Sequence, residues 1–330
     1  MLVPVLVVLV VLGAGCGQST TGGVPTSASV RTSSPPPSTA PVTALRWKDG
    51  SRLPVAISEV GVAATGTTIH VLGGYIGGHP HSTSHLTYDV ASGRWARATP
   101  LPVPLDHIGV VAVGDVLYAI GGYGSAGKPT SGTYRLDPAT SRWSALALLP
   151  DPRAAAVAVV INGRIHIVGG KDATGDTTRH DVFDPVTDTW SVAAPMPTPR
   201  DHTAYAVVDG KLHVVGGRPG EITAHEVYDP ATDRWTTAAP LPLGRSSFAG
   251  VAFDGRLVVF GGEDAGESRV YATADAYDPV SNQWIRVAPL PVAVQGIGAA
   301  VADHAVYVPG GAPSGGGAEE TDRLQILSSS

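Results

Sequence analysis

One cassette recurs six times along this 330-residue chain: an aliphatic run closing on Gly-Gly, a stretch of variable length, a Trp, and a proline seven residues past the Trp. The diglycines are Gly73-Gly74, Gly121-Gly122, Gly169-Gly170, Gly216-Gly217, Gly261-Gly262 and Gly310-Gly311. Trp47, Trp95, Trp143, Trp190, Trp235 and Trp284 are all the tryptophans of the chain, spaced 45 to 49 residues apart. That period is too long for most helical solenoids and suits a four-stranded propeller blade. The repeats run from Trp47 almost to the C-terminus, which predicts one closed all-β domain over residues 44–330.

Each cassette reads as strands joined by turns, consistent with 41 Gly and 28 Pro. The proline after each Trp always lies nineteen residues before the next diglycine, as in Pro150 and Gly169, and two strands fit that interval. The first, as in 154–161, is apolar at successive positions, which predicts burial on both faces. Asn162-Gly163, Asp209-Gly210 and Asp254-Gly255 predict tight hairpin turns to a second strand ending on the diglycine. A third strand ends on Tyr88-Asp89, Phe183-Asp184-Pro185, Tyr228-Asp229-Pro230 or Tyr277-Asp278-Pro279, and Asp before Pro favours a type I turn. In the second cassette Leu136 replaces the aromatic. The Trp opens strand four. The sixth cassette stops one strand short, so the strand around Trp47 should close the ring against the C-terminal strand and remove its open edges.

Diglycine, then Tyr, then Trp at these offsets resembles the Kelch repeat over residues 44–330. The resemblance implies a six-bladed β-propeller. Its implications for activity are broad, since the family includes interaction modules, carbohydrate-related enzymes and copper oxidases. Copper oxidases of this fold use a Cys–Tyr cross-link, and the only cysteine here is Cys16. There is no sialidase Ser-x-Asp-x-Gly-x-Thr-Trp box, no zinc motif and no phosphate-loop motif. No cofactor and no metal site are therefore expected.

Residues 1–15 form an apolar run of signal-peptide length, and Leu12-Gly13-Ala14-Gly15-Cys16 resembles a bacterial lipobox. Cleavage before Cys16 would leave a lipid on that residue and hold the protein on the outer side of the cytoplasmic membrane; the alternative is an ordinary secretory signal and a secreted protein. Residues 16–43, rich in Ser, Thr, Pro and Gly, read as a flexible tether. A formal charge of −6 argues against nucleic acid as a partner.

Turns after strands two and four share one propeller face. All length variation falls there, between diglycine and aromatic, so ligand binding is expected on that face. Its links into strand one carry Glu59, Asp106, His107, Arg153, Arg200, Asp201, His202, Arg245, Ser246 and Gln295, which are the candidate binding residues at the channel mouth. Arg153, Arg200 and Arg245 occupy one equivalent position in three consecutive blades. Such an arc could grip a carboxylate or phosphate, or could simply bond neighbouring loops. Glu59 and the two Asp-His pairs could supply acid–base groups. His79, His81 and His85 read as a solvated loop, and His70, His166 and His213, which share one position on strand two, as packing residues. The leading expectation is a monomeric, non-catalytic module for a glycan, peptide or partner protein. The second is a carbohydrate-active enzyme similar to Kelch-type sialic acid mutarotases, with the arginine arc holding a sugar carboxylate.

Overall fold

The computed structural model describes residues 45–220, 222–317 and 319–329. The expected leader at 1–15, Cys16 and the tether at 16–43 lie outside the described residues. From Leu45 onward the chain forms six four-stranded antiparallel sheets, the six blades of a propeller. Blade three is representative, with strands Val157–Ile161, Arg164–Val168, His180–Asp184 and Thr189–Val192. Blade six draws three strands from Ala300–Ala302, Ala305–Pro309 and Leu324–Ser329, and its outer strand from Leu45–Asp49. Trp47 lies opposite Leu327 in that pairing, so the ring closes as the repeat predicts.

The turns follow the residue types. Asn162 and Gly163 take φ of 51° and 78°, and Asp209 and Gly210 take 50° and 73°, the paired positive values of a tight hairpin. The aspartate ending strand three caps its own turn: Asp184 Oδ1 accepts from Val186 N at 2.9 Å and Asp229 Oδ1 from Ala231 N at 2.9 Å.

Strand one is buried as expected in blade three, at Val157, Ala158, Val159 and Ile161, and alternates between buried and more open positions in blades four and five. Strand one has a face on the central channel, a ≈ 410 Å³ space lined by such residues as Val62, Val110, Val160 and Val251. Strand two is buried as well, at Ile165, His166, Ile167 and Val168. Small Ala, Val and Gly in strand one suit the crowding of six strands around one axis. The core lies between blades. Ala204, Ala206 and Val208 of blade four pack against Leu257, Val259 and Tyr277 of blade five.

Two hydrogen-bonded rings tie the blades together. Outside, each Trp indole donates to a carbonyl just past the Trp of the preceding blade, from Trp95 to Ser51 at 2.9 Å through Trp284 to Ala239 at 2.8 Å. Trp47 donates to Ala288 at 2.8 Å and completes the circuit. Inside, backbone amides run His107 to Glu59, Ala155 to His107, His202 to Ala155, Ser247 to His202, Gly296 to Ser247 and Glu59 to Gly296, at 2.7–3.3 Å. The diglycine serves this inner ring. Gly121 (φ 65°) and Gly122 (φ 90°) pass under the next link, where a Cβ on Gly121 would sit 2.4 Å from the Arg153 carbonyl oxygen.

Candidate functional site

The inner ring frames the channel mouth with one residue per blade: Glu59, His107, Ala155, His202, Ser247 and Gly296. All six have positive φ, between 48° and 62°. This conformation is uncommon for residues with a side chain, and the closed circuit of amide bonds holds it. Glu59, His107 and His202 meet around a small cavity of ≈ 90 Å³ at the mouth.

His107 sits at the centre. Its Nδ1 faces Asp106 Oδ1 at 2.6 Å and its Nε2 faces Glu59 Oε2 at 3.0 Å. Its ring meets that of His202 edge-on with centroids 4.9 Å apart, and it touches Tyr75 and Tyr123 at 5.8 and 5.3 Å. Burial alone would lower the His107 pKa, but the Glu59 and Asp106 carboxylates raise it to about 10. Burial likewise works to raise Glu59, and the charge of His107 outweighs it, with His202 and Arg218 adding, to hold the carboxyl at about 2. His202 Nδ1 pairs with Asp201 Oδ1 at 2.9 Å. Burial and the Asp201 charge raise Asp176 beside it. Burial and nearby carboxylates push the Tyr75 and Tyr123 hydroxyls up to about 12, so both remain neutral donors at pH 7. An imidazolium held between two carboxylates is a poor general base near neutrality, since efficient proton transfer wants a pKa close to the working pH.

The structure brings together Glu59, Asp106, His107, Asp201 and His202 as the links predict. The arginines are elsewhere. Arg153, Arg200 and Arg245 are fully buried side chains turned away from the mouth. Arg153 pairs with Asp181, Arg200 with Glu226 at 3.0 Å and Arg245 with Asp275 at 3.0 Å, each acid lying on strand three of the arginine's own blade. Of the two roles open to the arc, these ion pairs supply the structural one. Gln295 is buried and donates to the Ser314 carbonyl at 3.2 Å, pinning a loop. Ser246 is buried beside Arg218, whose Nε lies 3.3 Å from its Oγ.

The histidines also regroup. His81 is not in a solvated loop: its backbone N donates to Asp106 Oδ2 at 3.0 Å and its ring contacts the same carboxylate. His85 opens strand three and is buried against His70, 3.0 Å from ring nitrogen to ring nitrogen. His166–His180 and His213–His225 repeat that pairing at 2.8 and 2.9 Å. The outer member of each pair donates from Nδ1 to a backbone carbonyl, that of Thr99, Ala194 or Ala239, at 2.9–3.0 Å. Its Nε2 must then accept from the inner histidine, which fixes both as neutral tautomers.

A second ring of mouth residues escapes a reading of the links alone. Tyr75, Tyr123, Lys171, Arg218, Glu263 and Ala312 directly follow the diglycines and bridge to the residue just before each inner-ring position. Their signal is variety: the two glycines before them repeat in every blade, while this position runs through aromatic, basic, acidic and small side chains. Lys171 is the most exposed of them, and Arg218 is the one held by acids. Arg218 is 30 % exposed, lies 3.0 Å from Glu267, and contacts the buried Glu263.

Residues 59–262 match the family described as the KLHDC2/KLHL20/DRC7 Kelch-repeats domain, and residues 244–291 match the Kelch motif. No curated protein matches the chain significantly. The family match covers more than half of the sequence and falls on blades whose diglycines, aromatics and tryptophans do the structural work seen above, so the chain belongs to the Kelch-repeat family and is a six-bladed Kelch propeller.

Proposed function

We propose that the protein is a non-catalytic binding module that receives a glycan, peptide or partner protein on the face carrying the channel mouth. Kelch propellers are typically binding modules. The observation that carries the reading is the contrast between the faces. One gathers Glu59, His107, His202, Tyr75, Tyr123 and Arg218 around the mouth, with long loops of unequal length. The other holds short, uniform turns such as Asn162-Gly163. Aromatic faces with charged and hydroxyl donors suit sugar hydroxyls or a peptide backbone, and the clamped His107 offers little to turnover.

The test is a thermal-shift screen against neutral and acidic sugars. A ligand that binds the folded state raises the melting temperature by mass action, by about 2.7 kcal/mol of added stability at one hundred times its Kd. The expected result is a shift that Tyr75→Ala and Arg218→Ala each reduce. A shift unchanged in both variants would place the site elsewhere.

We further propose that residues 1–15 are removed and that Cys16 carries a lipid, displaying the propeller outside the cytoplasmic membrane on the tether at 16–43. The support is the apolar run ending on the lone cysteine. Cys16→Ser is expected to move the protein from the membrane fraction to the soluble one; retention in the membrane fraction would contradict the anchor.

A further inference from the structure

We propose that Glu59, His107 and His202 form a binding site for one divalent transition-metal ion, of the zinc or ferrous type, at the channel mouth. One Glu oxygen and one ring nitrogen from each histidine lie within 4.8 Å of one another. Two ligand atoms about 2.1 Å from a shared ion are separated by roughly 3–4 Å, so small side-chain rotations complete the set. Two imidazoles and a carboxylate are the donor types that zinc and ferrous iron take.

Three further observations support a built site rather than a chance meeting. Each histidine is backed by the aspartate that precedes it: His107 Nδ1 by Asp106 Oδ1 at 2.6 Å, His202 Nδ1 by Asp201 Oδ1 at 2.9 Å. Both aspartates are buried. This carboxylate–histidine backing turns Nε2 toward the cavity and raises its strength as a ligand. The three donors share the inner-ring position of blades one, two and four, whose backbone is fixed by the amide circuit. The other three positions, Ala155, Ser247 and Gly296, carry small side chains, which leaves the centre clear.

The cavity of ≈ 90 Å³ holds an ion with room for one or two water-sized ligands. Three protein donors leave a coordination position open toward the mouth, where an oxygen of an incoming molecule can bind. On metal entry His107 Nε2 exchanges its contact with Glu59 for coordination. The inference stands on the donor geometry and not on the choice among sugar, peptide and protein. A failed metal titration leaves the binding reading in place, and a failed sugar screen leaves the metal site in place.

The experiment titrates the chelator-stripped, full-length protein with Zn²⁺ alone and, separately, with Co²⁺ as a visible-absorption probe. The expected result is one ion per chain, with Co²⁺ bands of a low-coordinate nitrogen–oxygen site. Glu59→Gln and His202→Gln should each weaken binding by about 100-fold or more, and Asp201→Asn by about 10- to 100-fold. His79→Ala, in the exposed part of the first loop, should leave binding unchanged. Melting curves of the metal-free variants check folding, and the isosteric Asp201→Asn carries the test if a ligand variant does not fold. Absence of saturable binding would overturn the proposal. So would binding that survives Glu59→Gln and His202→Gln, or binding that His79→Ala abolishes.

Discussion

Acidification from pH 7 to pH 5 is expected to lower the melting temperature of the propeller by about 20 °C or more. The cause is the three buried histidine pairs. Burial holds His70, His166, His180 and His213 down to about 4 and His225 down to about 3, and it also lowers His85. In the unfolded chain these groups titrate near 6.5. A histidine whose folded pKa is depressed adds stability above the unfolded value and loses it as pH falls toward the folded value. The window here runs from about 6.5 down to about 4, since only the unfolded state takes up protons within it. Each of the five histidines held at about 4 or below then costs about 1.4 kcal/mol per pH unit, or about 2 kcal/mol by pH 5, against a total stability of about 5–15 kcal/mol. Blade two supplies a control, because Tyr118 and Thr133 stand where His213 and His225 stand in blade four. The double variant His213→Tyr/His225→Thr should therefore flatten the pH dependence measured by thermal denaturation. A melting temperature constant between pH 7 and 5, or an unchanged slope in the double variant, would contradict this origin.

The second large effect concerns the buried ion pairs. Arg200→Ala should destabilise the fold by about 3–5 kcal/mol, because it leaves Glu226 charged and buried. Arg245→Ala should cost less. Asp275 keeps the partly exposed Arg286 at 2.7 Å, whereas Glu226 keeps only the Thr198 hydroxyl at 2.7 Å. Blade one shows how the position is filled without charge, with Ile57 for the arginine and Leu86 for the acid. Arg200→Ile with Glu226→Leu should accordingly recover most of the loss, since an apolar pair can replace a buried ion pair at little cost. Urea unfolding of the three variants reads this order directly. Equal losses in the single and double variants would show that the arginine matters for something other than its acid.

The same pairs show what was legible in the sequence. The blades were, because six copies of Gly-Gly and Trp and five of the strand-three Asp each have a backbone reason that any one copy displays. Ring closure was too, since a missing last strand and a spare first one have a single remedy. The arginine pairing was written in the repeat: Arg153, Arg200 and Arg245 occur in the blades that carry Asp181, Glu226 and Asp275, and apolar or uncharged residues replace both partners elsewhere. It is hard to read forward because the acids lie 28, 26 and 30 residues away, across loops of unequal length. Arginines repeated on a loop look like a ligand grip until the acid behind them is found. His85 was misplaced for a related reason, as the length of the first loop hides where strand three begins. The mouth was half legible. Position along the links identified Glu59, His107 and His202, but their convergence depends on the inner amide ring, and the residues after the diglycines are recognised only once the bridges to that ring are seen.

The proposed binding of ligands at the channel mouth is checked most directly by hydrogen exchange with and without a sugar that raises the melting temperature. The expected result is slower exchange in the links around Glu59, His107 and His202 and in the segments beginning at Tyr75, Tyr123 and Arg218, with no change at the hairpin turns Asn162-Gly163 and Asp209-Gly210. Protection centred on those turns, with the mouth unaffected, would contradict it.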